Sequence, residues 1–522
     1  FFESNFLVGH HWNQSFIVKT PRLNVEKLQE SIRILVEHHD GFRLRFRKAK
    51  GNHIQYYDLE TKLENLKVLD IRTVKDKESC KEFENKLHEI LTSWQSCFDL
   101  ESGPLYSIGY LEGYEDGSAR LYFALHHLII DAVSWRILVE DLKNIYDQKA
   151  LGLKGSSYRQ WANAIISYSN KYEQEKAYWE NVLLNYKENQ LISLALEAET
   201  HAEFSLNSEQ TRQLLRDCQQ AYHTQVNDLL LTALGYALSS ITGDKLNFIV
   251  LEGHGREEIG ENLDISRTLG WFTTLYPIGL MTDEEIGMSI KTNKENLRRV
   301  PNKGVGYGAL IGYQRTLPRI IFNYLGQFDK EEDNLSENWR IIKESSWDAV
   351  HSANQDLNII NLNGLVIEGT LHFNIISKLG RDYTKQIANL FKEKLLMVIN
   401  HTFSETRSHL TESDVGNIIN KDYLDKLQAT KEIESIYLAN SLQQGFIYHA
   451  LNQASIDDAY LVQLVWEYNS QLEVDLLKEA WNYAQQKFSC LRLRLAWEEE
   501  LIQVIDKEGS LDWRYIDLSN KA

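Results

Sequence analysis

The sequence predicts an α/β fold, in the wider α+β sense, with strands and helices mixed along the chain and more than one folding unit. The clearest strand-to-helix transition lies at residues 121–142. Five apolar or aromatic residues are followed there by apolar residues at helical spacing, which is typical of a buried strand leading into an amphipathic helix. The length of 522 residues, 43% of them apolar, is too great for one compact core, so we expect two or three units.

An internal repeat indicates how the chain is divided. Residues 23–32 and the segment GFRLRF at 41–46 align without gaps to residues 472–481 and CLRLRL at 490–495, a constant shift of 449. The similarity continues from 69–71 to 516–518 with a slightly different shift. We therefore predict one nearly whole domain, followed by the opening of a second, related domain.

The order of the elements follows from the hydrophobic pattern. An N-terminal lobe is predicted to contain strand 12–19, helix 25–37, strand 42–47, and helices 82–94, 132–148 and 158–186, the last of them long and polar enough to cross between lobes. A second lobe is predicted to contain helices 208–222 and 226–242, strands 246–251, 271–280, 320–324 and 365–374, and helix 383–401. The predicted domains are a lobe at 1–185, a lobe at 186–405, a polar linker at 406–433 and a domain fragment at 434–522.

Charge and cysteine content narrow the partners and the compartment. The net charge is −18 and the isoelectric point is near 5.4, so neither nucleic acid nor an anionic membrane is an expected partner. The four cysteines form no close pair, so we expect neither a zinc site nor a disulfide framework, and a cytoplasmic setting is predicted. The longest charge-free apolar run, residues 229–243, is shorter than the roughly 18 residues of a membrane span.

Three pairs of adjacent histidines are candidates for chemistry. The pair at 10–11 has no acid nearby, and both cavity lining and core packing are open for it. The pair at 38–39 follows a helix, and the repeat has lysine and phenylalanine at the matching positions, so we interpret it as a helix end. Only the pair at 126–127 follows a predicted strand with a carboxylate, Asp131, at a fixed offset.

Two interpretations of residues 126–131 are open from spacing alone. Adjacent strand residues point to opposite faces, so only one of His126 and His127 can face a given cavity. That histidine can be a hydrogen-bonded core residue, with Asp131 as a simple helix cap. It can equally be a general base, because an imidazole held against an apolar strand is suited to proton transfer. The diverging side chains make a metal site here unexpected.

Two glycine-containing segments lie elsewhere along the chain. Residues 252–256 (EGHGR) follow a strand and bring together a carboxylate, an imidazole and a guanidinium, although a solvated turn is the plainer interpretation. Residues 304–308 (GVGYG) lack both the dinucleotide fingerprint and the Gly-Lys-Ser/Thr of a P-loop. Nucleotide binding is therefore not expected.

The segment HHLIIDAVSW at 126–135 resembles the signature of epimerisation domains of nonribosomal peptide synthetases, which are members of the condensation-domain superfamily. Further segments match epimerisation motifs in the family's order: NQS at 13–15, EGHGR at 252–256, LGWFTTLYP at 269–277, GVGYG at 304–308 and NYLGQF at 323–328. Together they cover residues 1 to about 420. Ala132 departs from the pattern, because glycine is common at that position.

The C-terminal segment carries a second resemblance. Residues 436–449 are similar to the opening motif of condensation domains that follow an epimerisation domain, although Leu438 and Ser441 replace prolines often found there. The segment reaches Ala522 without an HHxxxD motif of its own, so we do not expect it to form peptide bonds by itself.

The resemblance implies the chloramphenicol-acetyltransferase-like fold, with two lobes in a V around a central tunnel. It implies that the substrate arrives on the 4′-phosphopantetheine of a carrier domain and that this chain binds no cofactor or metal itself. By carry-over from the motifs, His127 and Glu252 are expected to act as acid and base, with Tyr324 close to the α-carbon. Asp131 is expected to be structural, bound to an arginine that the sequence does not identify. The other residues expected to shape the site are His126, Ser134, Trp135, Asn323, Trp271 and Tyr276.

The implied function is epimerisation of the α-carbon of an L-aminoacyl or peptidyl thioester to its D form. Two alternatives are a condensation-type acyltransferase that forms peptide bonds and a non-catalytic module that docks carrier proteins. The segments EGHGR and NYLG favour epimerisation over the acyltransferase. The implied partners are an upstream peptidyl carrier domain and a downstream condensation domain, whose beginning the C-terminal segment resembles.

Overall fold

The computed structural model describes most of the chain. The described residues are 1–4, 6–60, 63–74, 78, 80–195, 198–260, 262–313, 317–328, 339–354, 356–453 and 462–518. Parts of the predicted fragment 434–522, residues 454–461 and 519–522, therefore lie outside the described residues. Within the described ranges, no helix is both long enough and apolar enough to cross a membrane.

Strands and helices are mixed along the chain, as the sequence predicts. The strands are β1 Asn13–Thr20, β2 Leu44–Ala49, β3 Asn52–Tyr57, β4 Lys67–Asp70, β5 Tyr106–Glu112, β6 Ala119–His126, β7 Thr200–Ser205, β8 Leu246–Gly253, β9 Thr274–Met281, β10 Ile320–Gln327, β11 Arg340–Ile342, β12 Ile360–Ile367, β13 Thr370–Ser377, β14 Ile433–Leu438, β15 Leu493–Ala496 and β16 Ile502–Asp506. The helices are α1 Val25–His38, α2 Lys81–Gln95, α3 Ala132–Tyr146, α4 Tyr158–Lys171, α5 Glu175–Asn185, α6 Ser208–Arg212, α7 Val226–Thr242, α8 Ile286–Arg298, α9 Tyr307–Leu310, α10 Arg381–Ser404, α11 Lys421–Thr430, α12 Ser441–Gln453 and α13 Val474–Lys487.

The chain divides into two compact units. The first comprises Phe1–Arg212, Leu234–Met281 and Arg299–Lys394, and the second comprises Gln213–Ala233, Thr282–Arg298 and Leu395–Ala522. The domain boundaries expected from the sequence stay predictions. All the residues expected at the candidate site belong to the first unit.

One sheet of the first unit carries the strand that ends at the histidine pair. Its strand order is β11-β1-β6-β5-β4, and β6 pairs antiparallel with β1 along its full length, with Asn13 opposite His126. Every residue of β6 is buried. Helix α3 buries Ile137, Leu138 and Leu142 in the same core. The histidine pair is thus held between a fully buried strand and a helix packed on the same apolar cluster.

A second sheet of the first unit carries the other predicted site residues. Its order is β7-β13-β12-β10-β8-β9, with parallel pairing of β8 and β10. In that pairing Phe322 lies opposite Leu251. The next residues along the two strands are Asn323 and Glu252, so these two positions are neighbours on adjacent strands.

Two predicted elements are each divided in the structure. The helix expected at 158–186 is two helices, α4 and α5, and the carboxylate of Glu175 at the break accepts hydrogen bonds from Tyr168 (2.7 Å) and Asn302 (2.7 Å). The strand expected at 365–374 is a hairpin of β12 and β13. Its turn residues, Glu368 and Gly369, have φ of 52° and 68°, as a two-residue hairpin turn requires.

The predicted helix 208–222 is also shorter than expected, because α6 ends at Arg212 and a π-helical segment, Gln213–Asp217, follows it. In the second unit, the residues predicted as a linker contain helix α11 and contribute buried side chains, including Leu410 and Tyr423, to a small core shared with β14 and β16. These residues are therefore folded.

The internal repeat is confirmed by the secondary structure. Helix α1 begins at Val25 and α13 at Val474, and strand β2 begins at Leu44 and β15 at Leu493, which preserves the shift of 449 in both cases (474 minus 25 and 493 minus 44). A short 3₁₀ turn separates helix and strand in each copy. The two segments therefore share a local fold as well as a sequence pattern.

Candidate active site

His126, the last residue of β6, is held by backbone groups on both sides of its ring. Its Nε2 donates to the carbonyl of Gly9 (2.8 Å), and its Nδ1 accepts from the backbone N–H of Leu128 (3.3 Å). The ring is fully buried, and this burial lowers the pKa of His126 to about 4. His126 is therefore neutral and fixed in one orientation, which is a structural position.

His127 begins the short turn between β6 and α3. Its backbone N–H donates to the carbonyl of Trp12 (2.9 Å), and its ring lies 4.3 Å from the ring of Trp271, measured between centroids. Its Nε2 lies 3.0 Å from the amide nitrogen of Gln14. Burial lowers the pKa of His127, although the charge of Asp131 acts in the opposite direction. The imidazole is therefore neutral at pH 7.

Asp131 caps α3 and binds the arginine that the sequence does not identify. Its carboxylate accepts from the backbone N–H (2.8 Å) and the hydroxyl (2.7 Å) of Ser134, and from the guanidinium of Arg256 (3.0 Å). The backbone N–H of Phe272 also donates to it (3.3 Å). With this set of donors, the fully buried carboxylate is paired, as a buried charge must be.

Arg256 connects the EGHGR segment to its surroundings. Besides Asp131, its guanidinium donates to the carbonyls of Ile265 (2.9 Å) and Thr268 (2.8 Å) and lies over the ring of Phe272, 4.0 Å from its centroid. Gly255, next to it, has a φ of 66°, and a Cβ at that position would overlap the carbonyl oxygen of Phe272. The glycine is thus required for the arginine to reach Asp131.

Glu252 lies four residues before Arg256, on β8, opposite Leu275 of β9. Its carboxyl group forms no hydrogen bond or ion pair with the residues that the structure describes. Burial, with a further contribution from the charge of Asp131, raises the pKa of Glu252 to about 7. Such a carboxyl group can donate or accept a proton near neutral pH.

Tyr324 and Asn323 lie on β10, opposite Gly364 and Asn363 of β12. Burial raises the pKa of Tyr324 to about 12, although the charge of Arg136 acts in the opposite direction. Arg136 donates to the carbonyl of Leu325 (3.1 Å), which connects α3 to the end of β10. The phenol of Tyr324 therefore stays protonated as a hydrogen-bond donor.

The predicted residues form three local groups. Gln14 links Trp135 to His127, and Trp271 lies against the ring of His127. Ser134 and Asp131 are joined by Arg256. Tyr276 is buried and lies 5.9 Å from Trp179 between ring centroids, close to the backbone of Gly253 and Gly304. No hydrogen bond joins the side chains of His127, Glu252 and Tyr324 within the described part of the chain.

Comparison with known proteins identifies the family. The family model described as "Condensation domain" matches residues 1–417 and 433–522. The chain belongs to the condensation-domain family. The two matched ranges correspond to the two copies expected from the internal repeat, and the fold is the chloramphenicol-acetyltransferase-like fold of this family.

The condensation-domain relatives include large synthetases. The chain is 38% identical over 413 residues to N-(5-amino-5-carboxypentanoyl)-L-cysteinyl-D-valine synthase of Amycolatopsis lactamdurans, covering 78% of this chain and 11% of that protein. It is 32% identical over 556 residues to bacitracin synthase 3 of Bacillus licheniformis, covering 100% of this chain and 8% of that protein. The chain therefore spans about a tenth of the length of these relatives.

Solved condensation-domain structures have the same fold. The epimerization domain from the third module of tyrocidine synthetase B has a TM-score of 0.70 and 30% identity, over 77% of this chain and 95% of that chain. The first condensation domain of the calcium-dependent antibiotic synthetase has a TM-score of 0.59 and 15% identity, over 77% of this chain and 93% of that chain. The second likeness concerns the fold alone.

A second cluster in this condensation-domain chain has the residue types of a metal site. Within the described ranges, His38, His39 and Asp141 have ligand atoms within 4.8 Å of one another. Asp141, however, already accepts hydrogen bonds from His39 (2.9 Å) and from Arg267. Because a guanidinium occupies this carboxylate, we interpret the cluster as a buried ion-pair network. The pair at 38–39, interpreted from the sequence as a helix end, does lie at the end of α1, and His39 ties this end to α3.

Two contacts at the candidate site could not be anticipated from the sequence. The partner of Asp131 is Arg256, which lies 125 residues away in the EGHGR segment. Gln14, which lies against His127, is 113 residues away from it. The sequence indicated Gln14 only through the NQS segment at 13–15, which follows the histidine pair at 10–11.

Proposed function

We propose that this chain epimerises the α-carbon of an L-aminoacyl or peptidyl group held as a thioester on the 4′-phosphopantetheine of a carrier protein. Membership of the condensation-domain family and the 30% identity with an epimerization domain of tyrocidine synthetase B support this reaction. The upstream carrier domain and a downstream condensation domain are the proposed partners, and the D product would pass to the latter.

The observation that carries the proposal is the pair of proton-transfer groups at the candidate site. His127 is a half-buried neutral imidazole whose pKa is lowered by desolvation, and Glu252 is a carboxyl group whose pKa is raised to about 7 by burial. Groups with opposite shifts can be respectively base and acid at the same neutral pH. One transferable proton, held by either His127 or Glu252, would be enough for both directions of the reaction.

The proposed reaction needs one proton removed and one returned. The thioester makes the α-proton more acidic than an amide would, so the imidazole of His127 can take it and leave an enolate. Glu252, in its acid form, returns a proton to the opposite face and becomes a carboxylate. The D to L direction uses the same pair in the reverse protonation state.

The other residues have supporting roles in this proposal. Tyr324, a protonated phenol, is proposed to lie near the α-carbon as a hydrogen-bond donor to the enolate. Trp271, against His127, is proposed to line the site. Asp131 and Arg256 would act as positioning residues, because they connect the loop after Glu252 to the helix that follows His127.

A label-exchange experiment tests the function. The carrier is loaded with an α-deuterated L-aminoacyl group and mixed with the protein, and the loss of deuterium and the D to L ratio are measured. We expect deuterium loss and a mixture of both configurations, both strongly reduced by Glu252→Gln. Glu257→Gln is the matched control, because Glu257 instead binds Lys303 (3.1 Å) and His254 (3.2 Å).

Each alternative gives a different result. Retention of deuterium and of the L configuration would exclude the epimerase. Peptide formation with an aminoacyl acceptor carrier would indicate the condensation-type acyltransferase. Carrier binding without either reaction would indicate a non-catalytic docking module.

A further inference from the structure

We propose that Gln14, oriented by Trp135, is a positioning residue that keeps His127 neutral with its proton on Nδ1 and its lone pair on Nε2. The effect on the reaction rate rests on the proposed function, but the tautomer of His127 does not. The tautomer itself follows from a chain of two hydrogen bonds that link α3, β1 and the turn after β6.

The first hydrogen bond fixes the orientation of the Gln14 amide. The indole Nε1 of Trp135 lies 2.9 Å from Oε1 of Gln14. An indole N–H can only donate, so the oxygen of the amide must face it. The indole is itself held by stacking on Phe16, at 4.8 Å between ring centroids and 21° between planes. Rotating the amide by 180° would bring its NH₂ group against the indole N–H.

The second hydrogen bond fixes the tautomer of His127. With its oxygen on Trp135, Gln14 turns its NH₂ group toward Nε2 of His127, 3.0 Å away. An amide NH₂ can only donate, so Nε2 must accept and the ring proton must be on Nδ1. His126 has the opposite tautomer, because its Nε2–H donates to the carbonyl of Gly9. Adjacent histidines are thus set in different tautomers by different partners.

Protonation of His127 is disfavoured by the same contact. An imidazolium would direct an N–H from Nε2 at the NH₂ group of Gln14, which has no free acceptor to offer. Asp131, whose charge acts on the ring, is already bound by Arg256. Gln14 and Trp271, which also lie against the ring, are uncharged.

This arrangement suits a base that must take a proton and release it again. Nε2 is the basic nitrogen, and Gln14 would yield this lone pair to the α-proton when the substrate reaches it. The imidazolium so formed then meets a hydrogen-bond donor instead of an acceptor, which favours return of the proton.

The test uses Gln14→Glu in the full chain. A carboxylate at this position can accept from both the Trp135 indole and an imidazolium, so we expect the pKa of His127 to rise by about 1 to 3 units. The pKa and the tautomer are measured by ¹⁵N NMR of histidine-labelled protein, with the wild type expected as the Nδ1–H form. The acid limb of the deuterium-loss rate should move upward by the same amount.

Two further variants keep the test decisive. Gln55→Glu, at an exposed position on β3, adds the same charge away from the site and should leave the His127 resonances unchanged. Trp135→Phe removes the donor that orients the amide, so a mixture of tautomers is expected even if Gln14→Glu fails to fold. An Nε2–H tautomer in the wild type, or an unchanged His127 pKa in Gln14→Glu, would overturn the inference. Absence of deuterium loss in the wild type would instead overturn the proposed function, because the NMR measurement does not depend on turnover.

Discussion

Helix α3 carries two buried carboxylates, and each is paired with an arginine from the segment that follows Glu252. Asp131 at its N-terminus binds Arg256, and Asp141, ten residues on, binds Arg267. A histidine pair lies beside each carboxylate, yet the two sites differ in whether a histidine is hydrogen-bonded to the carboxylate. His39 is hydrogen-bonded to Asp141 (2.9 Å), whereas the described partners of Asp131 are Ser134, Arg256 and Phe272, and His127 meets the amide of Gln14.

This difference separates a structural histidine from one available for proton transfer. The pKa of Asp141 is lowered by the hydrogen bond from His39 and the charge of Arg267, although burial acts to raise it. His39 is committed to that pair. Among the described residues no carboxylate is hydrogen-bonded to the ring of His127, and burial lowers its pKa. A histidine pair next to an acid is therefore a weak indicator of chemistry until the partners of the acid are known.

The largest expected effect comes from replacing the two histidines in turn. His127→Gln should reduce the rate of deuterium loss by about 100- to 10,000-fold, the usual contribution of a general acid or base. His39→Leu should leave that rate nearly unchanged and instead lower the free energy of unfolding by about 1 to 3 kcal/mol, because Asp141 loses a buried hydrogen bond. The rates are measured by mass spectrometry and the stabilities by urea unfolding. Equal loss of activity in both folded variants would contradict the distinction.

The two arginines give the second comparison. Arg256→Met leaves the fully buried Asp131 without its cation, and we expect the free energy of unfolding to fall by about 3 to 5 kcal/mol. Arg267→Met should cost only about 1 kcal/mol, because the Arg267 side chain is 45% exposed and Asp141 keeps His39. Urea unfolding measures both. Addition of Asp131→Asn to Arg256→Met should recover part of the loss, and a loss that is not recovered would argue against an uncompensated charge.

Elements with a local signal were predictable, and those that depend on distant contacts were not. Helix α7 has the predicted bounds, Val226–Thr242, because apolar residues recur along its 17 positions. The break between α4 and α5 depends on Asn302, which lies 127 residues from Glu175. The hairpin of β12 and β13 turns at Glu368-Gly369 without the Asn-Gly or Asp-Gly that usually marks such a turn.

The candidate site divides in the same way. The histidine pair and Asp131 lie within six residues, so their spacing was visible in the sequence. Asp131 as a helix cap was one of the two open interpretations, and the structure has it capping α3 through Ser134. His127 contacts Gln14, whereas His39 contacts Asp141, which also binds Arg267. Each of these contacts spans more than 100 residues of sequence. Periodicity carries no information about such pairs.

The smallest expected effect comes from comparing Glu252, whose carboxyl group has no described cation, with Asp141, which has two partners. The pKa of Glu252 is raised to about 7, so the stabilising contribution of its protonated form is complete below pH 4.5 and is lost as the pH rises through 7. Glu252→Gln should therefore raise the free energy of unfolding at pH 8 by about 1 to 3 kcal/mol, with little change at pH 4. Asp141→Asn should act in the opposite direction at pH 8, because the lowered pKa of Asp141 means that its carboxylate stabilises the fold above pH 3.8. Urea unfolding at the two pH values measures the sign of each change, and destabilisation by Glu252→Gln at pH 8 would mean that this carboxylate, like Asp141, has a partner in solution.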